Sequence, residues 1–242
     1  MSKISNISLT SIARVAGIAI FALALTAVSF AATKVTAVKG EVTVRHGVSE
    51  EWTVLATGDV LKPDDTIRLG KHATATVLTD ANNKLVIPEL VMLDIADIRM
   101  LTQEELLLQL AMERVRSVPA RNGGNDLSIP RTTTVHGDNK GAVSMHAVAI
   151  AGDGSLQLNG VRVLYQNGYY GTSVLRAKEI YRLIPSLAAN IDSRMMVASA
   201  LEKMNLNSEA LNEYNDIAKS GPSKEQSSII QQRLAALQGR AR

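Results

Sequence analysis

The chain has 242 residues, 26 Lys+Arg against 23 Asp+Glu, 46% apolar residues, 3% aromatics and no cysteine. Without cysteine there is no disulfide framework, thiolate metal site, iron–sulfur cluster or cysteine nucleophile. The apolar content and balanced charge make a folded chain the default, and the length allows one or two domains.

Lys3 and Arg14 are the only charges in residues 1–14, and an uncharged apolar run follows from Val15 to Phe30. This order of basic, apolar and small residues is that of a secretory signal. Ser29 and Ala31 place the cut after Ala31 and predict a signal peptide over residues 1–31. Left in place, the 19 uncharged residues from Val15 to Thr33 approach the ~20 that span a bilayer, and residues 15–33 would anchor the protein in the inner membrane. Cleavage takes away Lys3 and Arg14 from the 26 basic residues and no acid, leaving 24 against 23. A nearly neutral chain with Trp52 and five tyrosines as its aromatics offers no basic, aromatic-lined platform, so a nucleic-acid partner is excluded.

From Lys34 the periodicity becomes two, with Val35, Ala37, Val42 and Val44 alternating with polar residues. Short runs at Thr53–Leu55, Thr66–Leu69, Ala73–Leu78, Leu85–Ile87 and Leu90–Ile95 are separated by Gly, Asp, Asn and Pro turns. About seven strands at even spacing predict an all-β sandwich or roll over residues 32–100. Gly40 and Gly58 fall at tight turns, Asp59 and Asp65 can accept backbone N–H bonds in theirs, and Ile67 and Leu69 point inward with Arg68 outward. Trp52, the one large aromatic of this half, is expected to cover an end of the β core or to face a ligand.

The run Gly40-Glu-Val-Thr-Val, then Trp52 with Leu55, Gly58-Asp59-Val-Leu61, Asp65-Thr66-Ile67-Arg68 with Gly70, and Ala73-x-Ala75-x-Val77-Leu78 resembles the FecR-like periplasmic domain over roughly residues 35–97. The chain departs from that pattern at Ala73, Asp80–Lys84 and Pro88. The resemblance implies an extracytoplasmic structural module and carries no catalytic residue. FecR regulators hold their sigma factor with a long cytoplasmic segment, whereas residues 1–14 alone precede the apolar run here, so sigma-factor regulation is not implied.

Thr102 and Glu105 form a capping box before Leu106, and Pro119 stops the helix, which predicts a connecting helix over residues 101–119. Its apolar stripe is read as Leu107, Leu110, Ala111, Met112, Val115 and Val118, laid across the β domain or left free for a partner. Residues 120–152 read as a flexible linker, with short strands at Thr132–Val135 and Ala142–Ile150 and a break at Gly152-Asp-Gly154.

Leu164–Pro185 and Leu201–Pro222 align without gaps at an offset of 37, matching Leu164 to Leu201, Tyr169 to Leu206, Val174 to Leu211, Ile180 to Ile217 and Pro185 to Pro222. A helix–helix–proline repeat of this length, with Ala210-Leu211-x-x-Tyr214 in its second unit, resembles tetratricopeptide (TPR) hairpins. Helices are expected at Leu156–Asn167, Thr172–Ile184, Ile191–Met204, Ser208–Lys219 and Lys224–Leu237, capped at Asp192, Asn207 and Ser223, within an all-α repeat over residues 153–242. All five tyrosines, Tyr165, Tyr169, Tyr170, Tyr181 and Tyr214, lie there and are candidates for core packing or for a partner surface.

Histidines 46, 72, 136 and 146 lack metal-site spacing, although His46 and His72 could meet in the β domain. No G-x-S-x-G elbow, P-loop or dinucleotide fingerprint is present, so no catalytic, cofactor or metal residue is named. The expectation is an α+β multidomain protein, periplasmic or secreted and not an enzyme, that scaffolds another envelope protein or peptide through residues 153–242. The alternative is a FecR-type component that senses an envelope glycan or a siderophore-linked ligand, with membrane contact confined to an uncleaved N-terminus.

Overall fold

The computed structural model describes residues 33–117 and 142–240. The signal peptide expected over residues 1–31, the strand expected at Thr132–Val135 and most of the expected linker lie outside the described residues. Within the described residues an N-terminal antiparallel β region is followed by a C-terminal helical region.

Eight strands form two four-stranded sheets. The first has the order β4 (Val60–Leu61), β1 (Thr33–Lys39), β6 (Thr74–Leu78), β7 (Lys84–Ile87). The second has the order β3 (Trp52–Val54), β2 (Val42–Arg45), β5 (Thr66–Leu69), β8 (Met92–Asp94). All pairings are antiparallel, with Val44 opposite Ile67 and Val35 opposite Val77. Alternation decides the faces: Val42, Val44, Ile67 and Leu69 from one sheet meet Val35, Ala75, Val77, Leu85 and Ile87 from the other in one buried core. Arg68 faces outward as expected. The turns are closed by their own acids, since Asp59 accepts from the Ala56 N–H and Asp65 from the Lys62 N–H, each at 2.8 Å.

Six helices follow: α1 (Gln103–Ser117), α2 (Ala142–Gln166), α3 (Tyr170–Leu183), α4 (Ile191–Lys203), α5 (Asn207–Ala218) and α6 (Lys224–Arg240). Both capping boxes form. The Glu105 N–H donates to Thr102 Oγ1 at 3.1 Å while Glu105 accepts from the Thr102 N–H at 2.8 Å, and Ser223 and Gln226 make the same exchange at 3.2 and 3.0 Å. The caps foreseen at Asp192 and Asn207 are displaced. Asn190 caps α4 by accepting from the Ser193 N–H, and α5 starts after Leu206 with no side-chain cap.

The repeat is geometrical as well as sequential. Tyr169 and Leu206 both donate their N–H at 3.0 Å to the matched carbonyls of Leu164 and Leu201. The residue immediately before each takes positive φ, Gly168 at 85° and its repeat equivalent Asn205 at 56°. α3 and α5 then begin at Tyr170 and Asn207, one repeat apart.

Two expectations are corrected. Ala142–Ile150 is helical rather than a strand, and α2 continues through Gly152 and Gly154. The stretch is rich in Ala, Val and Met, and Gly154 fills a packing role: a Cβ there would lie 2.5 Å from Ile184 Cδ1 and 2.8 Å from Leu187 Cδ1. The helix expected over residues 101–119 is α1 in the described residues, and it lies on α3 and not across the β domain. Leu106, Leu110 and Glu113 are its buried face, while Leu107, Leu108, Met112 and Val115 are exposed.

The β and helical regions share packing. Val163, Leu164 and Tyr169 complete the β core, and the Asn159 amide donates to the Leu90 carbonyl at 2.8 Å. Arg176 of α3 reaches Asp94 of β8 and Asp97 just beyond it.

Candidate partner groove

A groove of about 380 Å3 opens between α1, α3 and α5. Leu110, Val174 and Leu201 form its apolar floor, all three buried. Two glutamates, Glu113 of α1 and Glu213 of α5, are 7% and 6% exposed at its walls. Buried carboxylates persist only where bases compensate them. Glu113 accepts from Arg182 Nε and, at 3.4 Å, from Arg116. Glu213 accepts from Lys178 Nζ and, at 3.0 Å, from Arg194 Nε. These pairs tie α1 to α3 and α5 to α3 and α4, so the walls are held in place by the chain's own residues.

The rim is different. Glu209, Asn212 and Asp216 follow one another at intervals of three and four residues along α5, on one side of the groove. Glu209 makes no ion pair among the described residues, and Asp216 meets the exposed Lys219 of its own helix at 3.1 Å. The α5 side of the opening therefore carries two acids, Glu209 and Asp216, while Arg114 of α1 also lines the groove.

None of the five tyrosines is exposed, and of the five Tyr181 alone lines the groove. Tyr181 lies at the groove with its hydroxyl donating to Ser193 Oγ at 2.7 Å; burial pushes that hydroxyl up to about 12, the Ser193 bond opposing. Tyr214 is 2% exposed and donates to Glu202 Oε1 at 2.7 Å; burial and then that acidic acceptor raise its hydroxyl well above the ordinary range. Tyr165 shares a 2.8 Å hydrogen bond with Ser199 and meets Tyr170 edge to face at 5.5 Å. Tyr169 belongs to the β core, and burial raises its hydroxyl. Sequence reasoning missed Glu113 and Glu213; charged residues on otherwise apolar helix faces were the signal.

Trp52 does not cover the β core. It pairs with Arg45 across β2 and β3 and lies half-buried on the outer face of the second sheet, its ring centre 5.3 Å from the Arg45 guanidinium carbon and 5.9 Å from that of Arg68. His46 and His72 engage separate carboxylates, Asp65 at 2.9 Å and Glu89 at 3.6 Å. Among the described residues no group of three or more His, Asp or Glu could hold a metal ion, and no helix is long and apolar enough to cross a membrane.

A second cavity, of about 560 Å3, lies between the β region and α3, with Asp97, Arg99, Met100 and Tyr169 on its walls. Burial and the Glu179 charge push the Asp97 carboxyl up to about 7 against the pull of Arg99. Asp97 shares the Arg176 guanidinium with Asp94 and Glu179, which places three acids around one base.

No family model, curated protein sequence or solved structure matches the chain.

Proposed function

We propose that the protein is an exported, non-enzymatic component of a bacterial cell envelope, in which a FecR-like β module carries a short TPR-like array that binds a segment of another envelope protein. The reading of export rests on the order of basic, apolar and small residues at the N-terminus, and those of the modules on the motifs quoted above. The groove between α1, α3 and α5 carries the reading of function: an apolar floor, walls fixed by buried ion pairs and an acidic edge at Glu209 and Asp216. Such a cleft suits an extended or helical peptide that sets a basic side chain against α5 and an apolar one against Leu110 and Val174.

A photo-crosslinking side chain at Asn212 tests this in cells, with Gln232 on α6 as the control position. Capture of one protein at 212 and not at 232, diminished when Glu209 and Asp216 are replaced by Gln and Asn, supports the groove. Equal capture at both positions, or none at 212, removes it.

A further inference from the structure

The outer face of the second sheet holds an aromatic–arginine group that the helical groove does not use. Trp52 sits on edge strand β3, outside the core, with two guanidiniums within 6 Å of its ring centre (5.3 and 5.9 Å). The two arginines differ. Arg45 is fixed: its NH2 reaches Thr66 Oγ1 at 3.3 Å, Thr66 donates to Asp94 at 2.6 Å, and its Nε is buried with no hydrogen-bond acceptor among the described residues. Arg68 is 45% exposed, and its one ion pair among the described residues is with Asp153 of α2 at 3.6 Å, longer than a hydrogen bond. Most of its capacity for two parallel bonds to a carboxylate is unspent.

The geometry points to a binding site for a carboxylated sugar at Trp52, Arg68 and Arg45, in which the ligand's carboxylate takes Arg68 from Asp153. The pairing with Asp153 shows that a carboxylate can reach the Arg68 guanidinium. The indole supplies a flat apolar face for the C–H side of a sugar ring, held in orientation by the cations packed on it. A ring and a carboxylate within one residue are what a uronic acid combines; an acidic peptide brings the carboxylate without the flat face. Both guanidiniums are also tied to the helices, Arg68 through Asp153 on α2 and Arg45 through Thr66 and Asp94 to Arg176 on α3. Occupancy therefore loosens the β region's hold on α2. The site is independent of the groove, and absence of a partner at Asn212 leaves it standing.

Trp52 is the sole tryptophan, so its emission reports this site alone. The whole chain is titrated with tetragalacturonate, its uncharged methyl ester and tetraglutamate. A saturable emission change with tetragalacturonate alone is expected. Arg68→Gln weakens it about tenfold, the loss of a charge-assisted pair. Asp153→Asn tightens it roughly two- to fivefold, since the internal competitor is a weak surface pair. The tightening is a gain that misfolding does not mimic. No saturable change, equal response to the ester, tetraglutamate binding as tightly, or unchanged affinity in Asp153→Asn overturns the proposal.

Discussion

Gly160 of α2 backs onto the main-chain carbonyl of Met92 in β8 so closely that a Cβ at position 160 would overlap its oxygen. The obstacle is backbone on both sides, so neither a rotamer change nor a flexible chain end relieves it. Gly160→Ala forces α2 away from β8, disturbing Val163 and Leu164, which complete the β core. A loss of about 1–3 kcal/mol is expected, in the range of overpacked interiors. Urea unfolding read by Trp52 emission and by far-UV circular dichroism measures it. An unchanged midpoint would show that the helix does not bear on the sheet in solution.

Asp97 predicts a pH dependence at the same junction. Its carboxyl is raised to about 7 in the fold from 3.8, so between these values the folded state binds more protons than the unfolded one. Stability contributed by this group is thus fully present below 3.8, declines as pH rises from there towards about 7, and is lost above it. The Arg176 contact at 3.1 Å moderates the decline by favouring the carboxylate, which keeps the expected loss to about 1–2 kcal/mol. Asp97→Asn should remove that slope and leave the protein more stable than the parent at pH 8. Thermal midpoints from pH 5 to 8 decide the matter, and parallel curves for the two proteins would refute it.

The β region was legible because half-buried strands print their alternation in the sequence. β4 was not, since two residues, Val60 and Leu61, cannot show a period; pairing with Thr33 and Lys34 makes that strand. Trp52 was misplaced by its apolarity. Leu55, 2% exposed, takes the inward position, and strand parity then sends Val54 and Trp52 outward, Val54 to 82% exposure. The face of α1 was illegible for the opposite reason: Leu106, Leu107, Leu108 and Leu110 cover most of its circumference, and only the docking of Glu113 against Arg182 selects the buried side. The groove depends on residues brought together from four helices, α1, α3, α4 and α5, with Arg182 and Glu113 69 positions apart, which no local pattern records.

Glu113 and Arg182 make the next prediction. Glu113 is 8% exposed at its side chain and Arg182 28%, so deleting the acid strands a partly buried cation, while replacing both removes the mismatch. Glu113→Ala should cost about 2–3 kcal/mol, below the full range for deep pairs because Arg182 can reach water. The double variant Glu113→Leu/Arg182→Met should recover a large part of it. A coupling energy of about 1–2 kcal/mol from the four chemical denaturation curves is expected, and strict additivity would mean that the pair does not hold α1 to α3.

Tyr214 separates a structural tyrosine from a recognition one. Its ring is 2% exposed and its hydroxyl donates at 2.7 Å to Glu202, whose side chain is 12% exposed and also lies 3.9 Å from Arg233. Tyr214→Phe keeps the ring packing and leaves a nearly buried carboxylate short of a donor, which predicts a loss of about 1–2 kcal/mol. Tyr181→Phe frees Ser193 Oγ, a neutral partner that also donates to the Asn190 carbonyl at 2.9 Å, so its cost should be smaller, about 1 kcal/mol or less. Neither change alters the charge or shape of the rim formed by Glu209, Asn212 and Asp216. Crosslinking through position 212 should therefore persist in both variants at temperatures where they remain folded. Loss of crosslinking with an unchanged melting temperature would reverse the assignment and make these hydroxyls part of the partner surface.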